Sequence, residues 1–309
     1  MDTSSGWNWN SASTRGRDPG SVPAHRRPLE RLKGAWRVLD RLDWWDVDAW
    51  EGSPLWSLCD GAALLPVPLD LSPRDALSAT CAATAWVRWC AVAGDGKAPA
   101  CLRCAFDEAE ARLAAHGIRE VWCIVRSFDW LRPHLRERGY RLAGRLLTFQ
   151  ANPQRMAEAP PLPVGLWLRP AHAGDFDAVC ALDAVAFDEP WRYPPALMRP
   201  AFEQAFTVTV AVCADGIVGY ACALLRQANG HIVRLAVHPS LRLRGIGAGL
   251  LMDSVARLRQ AGARTVSLNT QSDNCAAQRL YRRLGFASLD EKPAVMRKLI
   301  APATDGGAT

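Results

Sequence analysis

Two short stretches of this chain hold residues whose types and spacing could do chemistry. The first, Arg242-Leu243-Arg244-Gly245-Ile246-Gly247-Ala248, follows an apolar run from Ile232 to Val237. It opens a segment in which Leu251, Val255 and Leu258 recur at helical spacing. In that order of strand, glycine loop and helix, the backbone can approach an anion closely, because Gly245 and Gly247 carry no Cβ. The first amides of the helix have no internal partners and the helix dipole favours negative charge, so a pyrophosphate fits there. Arg242 and Arg244 would add charge-assisted donors. The second stretch runs from Asn274 to Phe286. It sets Ala277, Leu280 and Tyr281 on a helix expected over 276–284 and stopped by Gly285. A surface turn bearing two arginines would account for the first stretch alone, but not for the second one after it.

Together the two stretches resemble the acetyl-CoA motif of the GCN5-related N-acetyltransferase (GNAT) superfamily. That motif is R/Q-x-x-G-x-G/A followed by N-x-x-A-x-x-L-Y-x-x-x-G-F, which residues 274–286 match at every fixed position. The likeness covers residues 166–300 well and the first half in outline. It implies acetyl-CoA as acyl donor, no metal, and a primary amine of a small molecule, protein or peptide as acceptor. It implies that Leu235, Ala236 and Val237 offer backbone to the pantetheine arm at a splayed strand. The amides of Arg242, Leu243, Arg244, Gly245, Ile246, Gly247 and Ala248 would hold the pyrophosphate. Asn274 would bond the pantetheine, a role compatible with capping the helix. Tyr281 would protonate the departing thiolate, or else serve as a packed aromatic. Ribosomal-protein N-terminal acetyltransferases carry a glutamate five residues before the motif asparagine. Here that place holds Asn269, which takes no proton at neutral pH. Asp188 and Glu189, in Phe187-Asp188-Glu189-Pro190-Trp191, could order a water instead, or be solvated loop charges. His231 and His238 are weaker candidates. Against transfer stands one other reading, a non-catalytic module that binds or senses acyl-CoA.

These residues must be positioned by a fold, and the sequence repeats its elements. Trp86 to Val92 lies 146 positions before Ile232 to His238, with arginine third in both, and Gly139-Tyr140 precedes Gly285-Phe286 by the same interval. Gly117 to Val121 matches Gly262 to Val266 after a one-residue shift, and Asp60-Gly61 matches the hairpin turn Asp215-Gly216. The expected fold class is therefore α/β (α+β), as two tandem GNAT-like domains, each with a mixed, mostly antiparallel sheet flanked by helices. The bounds are a disordered arm 1–28, a degenerate domain 29–151, a Pro-rich linker 152–163, a catalytic domain 164–300 and a flexible tail 301–309. In the first copy, Gly96 to Cys101 stands against the glycine loop with Pro99 inside it, and Leu135 stands against Tyr281. That copy has lost the chemistry. It would shape the acceptor site or complete an internal pseudo-dimer, leaving the chain a monomer.

Composition agrees with a folded enzyme. Apolar residues are 49% and charged residues 22% of the 309. No run of eighteen apolar residues and no signal-peptide shape occurs, so no membrane association and a cytoplasmic location are expected. Ten cysteines sit mostly in apolar stretches, and the lone CxxC of Cys101 and Cys104 lacks a second pair for zinc. The net charge of +6 is spread without a basic run, which speaks against nucleic acid as a partner.

Overall fold

The computed structural model describes residues 36–38, 53–59, 62–71, 75–93, 98–126, 130–156 and 160–302. The expected arm 1–28, the turn Asp60-Gly61, the pair Gly96-Lys97 and the tail from 303 lie outside them. The first half contributes β1 (Trp36–Val38), β2 (Ser57–Cys59), β3 (Ala62–Pro68), β4 (Thr84–Ala93), α1 (Ala98–Ala115), β5 (Glu120–Val125), α2 (Leu131–Glu137) and β6 (Arg141–Ala151). The second contributes β7 (Trp167–Pro170), α3 (Phe176–Ala186), α4 (Pro195–Gln204), β8 (Thr207–Cys213), β9 (Gly216–Arg226), β10 (Asn229–Val237), α5 (Ile246–Gln260), β11 (Thr265–Gln271), α6 (Cys275–Arg283), β12 (Ala287–Ser288) and β13 (Ala294–Leu299). The hairpin turn at Asp215-Gly216, the helix opened by the glycine loop and the helix expected over 276–284 stand where the sequence placed them, the last as Cys275–Arg283.

The repeat is visible in pairing. β4 runs parallel to β5, as β10 runs parallel to β11, and each of these first strands pairs antiparallel with the strand before it. α2 and α6 end alike. Gly139 and Gly285 sit at φ +86° and +90°, and the next residue's N–H donates to the carbonyl of Leu135 and Tyr281 respectively. That left-handed glycine stop closes the helix in both halves. Helices pack on the sheet through their apolar stripes. Leu251, Val255 and Leu258 of α5 meet Ile232 and Val266 in one buried cluster. β3 is buried at all seven positions, so its run Ala-Ala-Leu-Leu-Pro-Val-Pro shows no alternation.

The halves are joined by strand exchange. The main order of the sheet is β2-β3-β4-β5-β13-β6-β11-β10-β9-β8-β7. Thus β13, the last strand of the chain, lies beside β5 of the first half, while β6 of the first half lies beside β11 of the second. The exchanged segment is also held by charge. Glu291 accepts from Arg126 at 2.5 and 2.8 Å, Arg297 reaches Glu120 at 2.5 Å and Lys298 reaches Glu110 at 2.5 Å. The segment between the halves contains a 3-10 turn at Pro153–Arg155, and Leu162 packs so tightly on α5 that a Cβ on Gly249 would lie 2.5 Å from its Cδ2.

Candidate active site

The site begins where two parallel strands part. β10 pairs with β11 only from Asn229 to Ile232, opposite Thr265 to Leu268, and its register against β9 shifts between Ile232 and Arg234. That bulge turns the strand away from β11. Beyond it, Val233 to Val237 have no partner on the β11 side, so a ligand amide can add to that edge as a strand would. Leu235, Ala236 and Val237 line the cleft that opens there, which has a volume of about 670 Å³.

Gly245 closes the loop at φ +89°, a conformation that side chains other than glycine's resist, and α5 starts at the next residue. Its Cβ position is open space. Arg242, Leu243, Gly245, Gly247 and Ala248 line the cleft from this side, and Asn274 and Tyr281 from the other. Arg244 is exposed and outside the lining, and Ile246 turns into the core beside Leu250 and Ala211. Arg242 is differently engaged from a phosphate donor. Its guanidinium donates to the carbonyls of Ala186 at 2.7 Å and Val237 at 3.3 Å, bracing the end of α3 against the loop. Two residues that the sequence reasoning passed over, Arg279 and Arg283 on α6, line the cleft instead. They are one helical turn apart, a spacing that could have singled them out. Among the described residues no carboxylate lines this cleft. An anionic cosubstrate such as acetyl-CoA fits that charge, and the open strand edge suits its amide-bearing arm.

A second, smaller cavity of about 160 Å³ adjoins the first. Both are lined by Phe187, Leu235, Gln271, Asn274 and Tyr281. The smaller one also takes Trp86, Arg88, Ile124 and Leu146 from the first half, so both copies build its wall. Trp86 donates to the carbonyl of Pro190 at 3.1 Å and packs on Trp191 with ring centroids 5.3 Å apart. Asp188 and Glu189 are exposed in the loop between α3 and α4 and line neither cavity, whereas their neighbours Phe187, Pro190 and Trp191 do. His238 lines neither and contacts Ser240. His231 and Asn269 line the smaller cavity.

Tyr281 stands at the junction of the two cavities. It is 6% exposed, packed edge-on against Phe149 of β6 at 5.5 Å and beside Phe286. Burial pushes its phenol up to about 12, so the hydroxyl keeps its proton at neutral pH. Asn274 accepts from the N–H of Ala277 at 3.1 Å and so caps α6, which leaves its NH2 group for other partners.

The wall of the smaller cavity is fixed by a buried ion pair that sequence reasoning missed. Arg234 donates to Asp183 of α3 through Nε at 2.7 Å and a terminal nitrogen at 2.8 Å, and to the carbonyl of Trp191 at 2.7 Å. Its guanidinium lies between the rings of Phe187 and Tyr193, at 3.6 and 4.0 Å from their centroids. Tyr220 donates its hydroxyl to the same carboxylate, and the buried phenol is held far above its ordinary range. The recurrence of arginine at the third place of the repeated strand was the available signal. Its partner lies 51 residues away on a helix.

In the first half, β1 pairs with β4, the counterpart of β10, at Ala91–Ala93. Trp89 packs on Trp56 at 5.2 Å, and Leu135 is wholly buried where the second copy has Tyr281.

Comparison with known proteins agrees with this geometry. The family described as "Acetyltransferase (GNAT) family" matches residues 176–286. An uncharacterised N-acetyltransferase of Methanocaldococcus jannaschii is 31% identical over 121 residues, 38% of this chain and 76% of that protein. A mycothiol acetyltransferase of Actinosynnema mirum is 29% identical over 189 residues, 57% of this chain and 54% of that protein. A solved tandem GNAT protein from the clavulanic acid biosynthesis pathway superposes with a TM-score of 0.54 at 15% identity, over 79% of this chain and 80% of that one, a likeness of fold. The chain belongs to the GNAT acetyltransferase family. It spans about half the length of the mycothiol acetyltransferases it matches.

Proposed function

We propose that this chain transfers an acetyl group from acetyl-CoA to a primary amine held between its two halves. The observation that carries this reading is that Tyr281, Asn274, Gln271, Leu235 and Phe187 line both the larger cleft and the smaller cavity. A thioester arm lying along β10 would bring its acyl end to that junction, where an amine in the smaller cavity could meet it. The edge of β10 beyond its pairing with β11 orients the arm, the first amides of α5 take the pyrophosphate, and Arg279 and Arg283 add positive charge. Tyr281, protonated at working pH, donates to the sulfur as it leaves. The first half gives walls, not chemistry: Trp86 lines the smaller cavity and Phe149 packs on Tyr281, while its own copy has Leu135 in place of the tyrosine. Acetyl-CoA should bind with 1:1 stoichiometry in calorimetry, and a thiol-release screen of amines, headed by mycothiol-type small molecules on the strength of the relative's name, should find an acceptor. Two equivalent acetyl-CoA sites, or tight binding with no release from any amine, would sink the reading.

A further inference from the structure

The smaller cavity contains polar groups but, among the described residues, no carboxylate. The titratable side chains that face it are Arg88 of β4, Tyr193 of the loop after α3, His231 and Arg234 of β10, and Tyr281 of α6. Arg234 is tied to Asp183, whose two oxygens are taken up by Arg234, Tyr220 and the N–H of Tyr193. Among the described residues an ammonium entering here would meet no negative charge left unpaired, and burying an unpaired charge is far costlier than burying a neutral amine.

Two neutral acceptors stand on the cavity floor. Asn269 lies on the part of β11 beyond its pairing with β10, and its side-chain oxygen is buried without a protein partner. His231 bonds the hydroxyl of Ser267 through Nδ1 at 2.9 Å, while that hydroxyl donates to the carbonyl of Gly230 at 3.3 Å. Assigning the hydroxyl hydrogen to the Gly230 carbonyl puts the imidazole proton on Nδ1 and leaves Nε2 its lone pair. Burial pulls this imidazole down to about 4, which keeps it neutral.

Building on the transfer reading above, we propose that the acceptor is a weakly basic amine that enters uncharged, its N–H groups received by Asn269 and His231. The chemistry then closes without a carboxylate base. The amine nitrogen bonds to the acetyl carbon, the carbon–sulfur bond breaks, and the sulfur keeps the electron pair and takes the Tyr281 proton. The proton released from the nitrogen restores the Tyr281 phenol. No other proton acceptor is needed, provided the amine has already lost its ammonium proton to solvent. At pH 7 that requirement disfavours a lysine-type amine over an α-amino group by roughly 200- to 400-fold in neutral fraction, from their ordinary pKa values of about 10.4 and about 7.7–8.0. The higher nucleophilicity of the stronger base offsets part of this, so a preference of at least about tenfold is expected.

The test uses the full chain, acetyl-CoA and two amines of similar shape, phenylalaninamide and the more basic phenethylamine, with thiol release followed from pH 7 to 9. Phenylalaninamide should show the higher kcat/KM at pH 7 by about tenfold or more. The phenethylamine value should rise about tenfold per pH unit, as its neutral fraction does. Asn269→Asp, which places a carboxylate on the floor, should narrow the ratio at pH 7 by about fivefold or more through faster phenethylamine turnover. Its acetyl-CoA affinity by calorimetry reports whether it is folded, and the wild-type pH profiles decide the matter without it. Equal turnover of the two amines at pH 7, or a phenethylamine rate flat from pH 7 to 9, overturns the neutral-amine inference and leaves acetyl transfer standing. Thiol release from neither amine, by protein that binds acetyl-CoA, overturns this inference, and release from no amine of the wider screen overturns the transfer reading as well.

Discussion

Arg234 and Asp183 face each other through two parallel hydrogen bonds of 2.7 and 2.8 Å, the aspartate wholly buried and the arginine 9% exposed. One comes from the bulged strand that lines the larger cleft and the other from α3. A pair so buried holds two elements in register, because either charge left alone would face an apolar interior. Arg234→Met should therefore destabilise the fold by about 3–5 kcal/mol, and Asp183→Asn by a similar amount. The double variant should lose clearly less than the sum, as denaturant unfolding of all four proteins would register. Additive losses would mean that the pair does not act as a unit.

The exchanged strands make a second prediction. β13 supplies a partner to β5 and to β6, and its segment brings Glu291, Arg297 and Lys298 to Arg126, Glu120 and Glu110. Removing residues from 291 onward would leave two long strand edges unpaired in a sheet buried by helices. A chain ending at residue 290, or residues 29–151 expressed alone, should not fold cooperatively. A sharp thermal transition for the isolated first half would contradict this.

This exchange is where the sequence was least legible. The apolar periods of β8 to α6 and the glycine stops are local, so elements and their order could be read directly. Partner choice is not local: β5 and β11 descend from the same repeat and offer similar edges, and nothing in 141–151 or 294–299 says which edge each will take. The glycine loop and the helix it opens were legible because the glycine spacing fixes the turn at Gly245. The bonds of the Arg242 side chain were not legible, because its nearest acceptor, the carbonyl of Ala186, belongs to the end of a helix 56 residues away. Asp188 and Glu189 attracted attention as carboxylates, while the aromatic residues beside them line the smaller cavity.

A third prediction separates the two glycines of the loop. Gly245 is at φ +89°, so any side chain strains the backbone, whereas a Cβ on Gly247 would meet only Leu280 and Val237 at 3.7 Å. Gly247→Ala should fold normally and bind acetyl-CoA within several-fold of the parent. Gly247→Glu puts a carboxylate into the anion cleft and should abolish binding in calorimetry without changing the circular dichroism. Ala100→Glu, in the first copy, should leave binding nearly intact. Equal losses from the two glutamate variants would mean that the loop does not work alone.

His231 carries a pH prediction with a definite sign. Its folded value of about 4 lies below the ordinary 6.5, because burial disfavours the charged ring. Between those two values the unfolded chain binds more protons than the native one, so its contribution to stability is lost as pH falls from 6.5 to 4. Above 6.5 it has no effect. His231→Gln should flatten part of the fall in stability across that window and leave the pH 7 to 8 region unchanged in slope. Urea unfolding at half-unit pH steps resolves the two curves, and identical slopes would remove His231 from the acid response.

Tyr281 decides between an enzyme and a binding module. The phenol is buried against Phe149 and kept protonated at neutral pH, and it lines both cavities. A proton donated to the leaving sulfur matters in the transition state and little in the bound complex. Tyr281→Phe keeps the ring and its packing while removing the hydroxyl. It should lower kcat by about ten- to a thousandfold and leave acetyl-CoA affinity nearly unchanged. A ring that only packs would make the change almost silent, with kcat within about twofold of the parent, which corresponds to less than about 0.5 kcal/mol and is too little for lost proton transfer. Because solvent can replace a missing acid, the comparison should span pH 6 to 10. With the phenol's folded value near 12, the parent rate should show no fall from phenol ionisation below pH 10, so the deficit of the Phe variant should persist across that range.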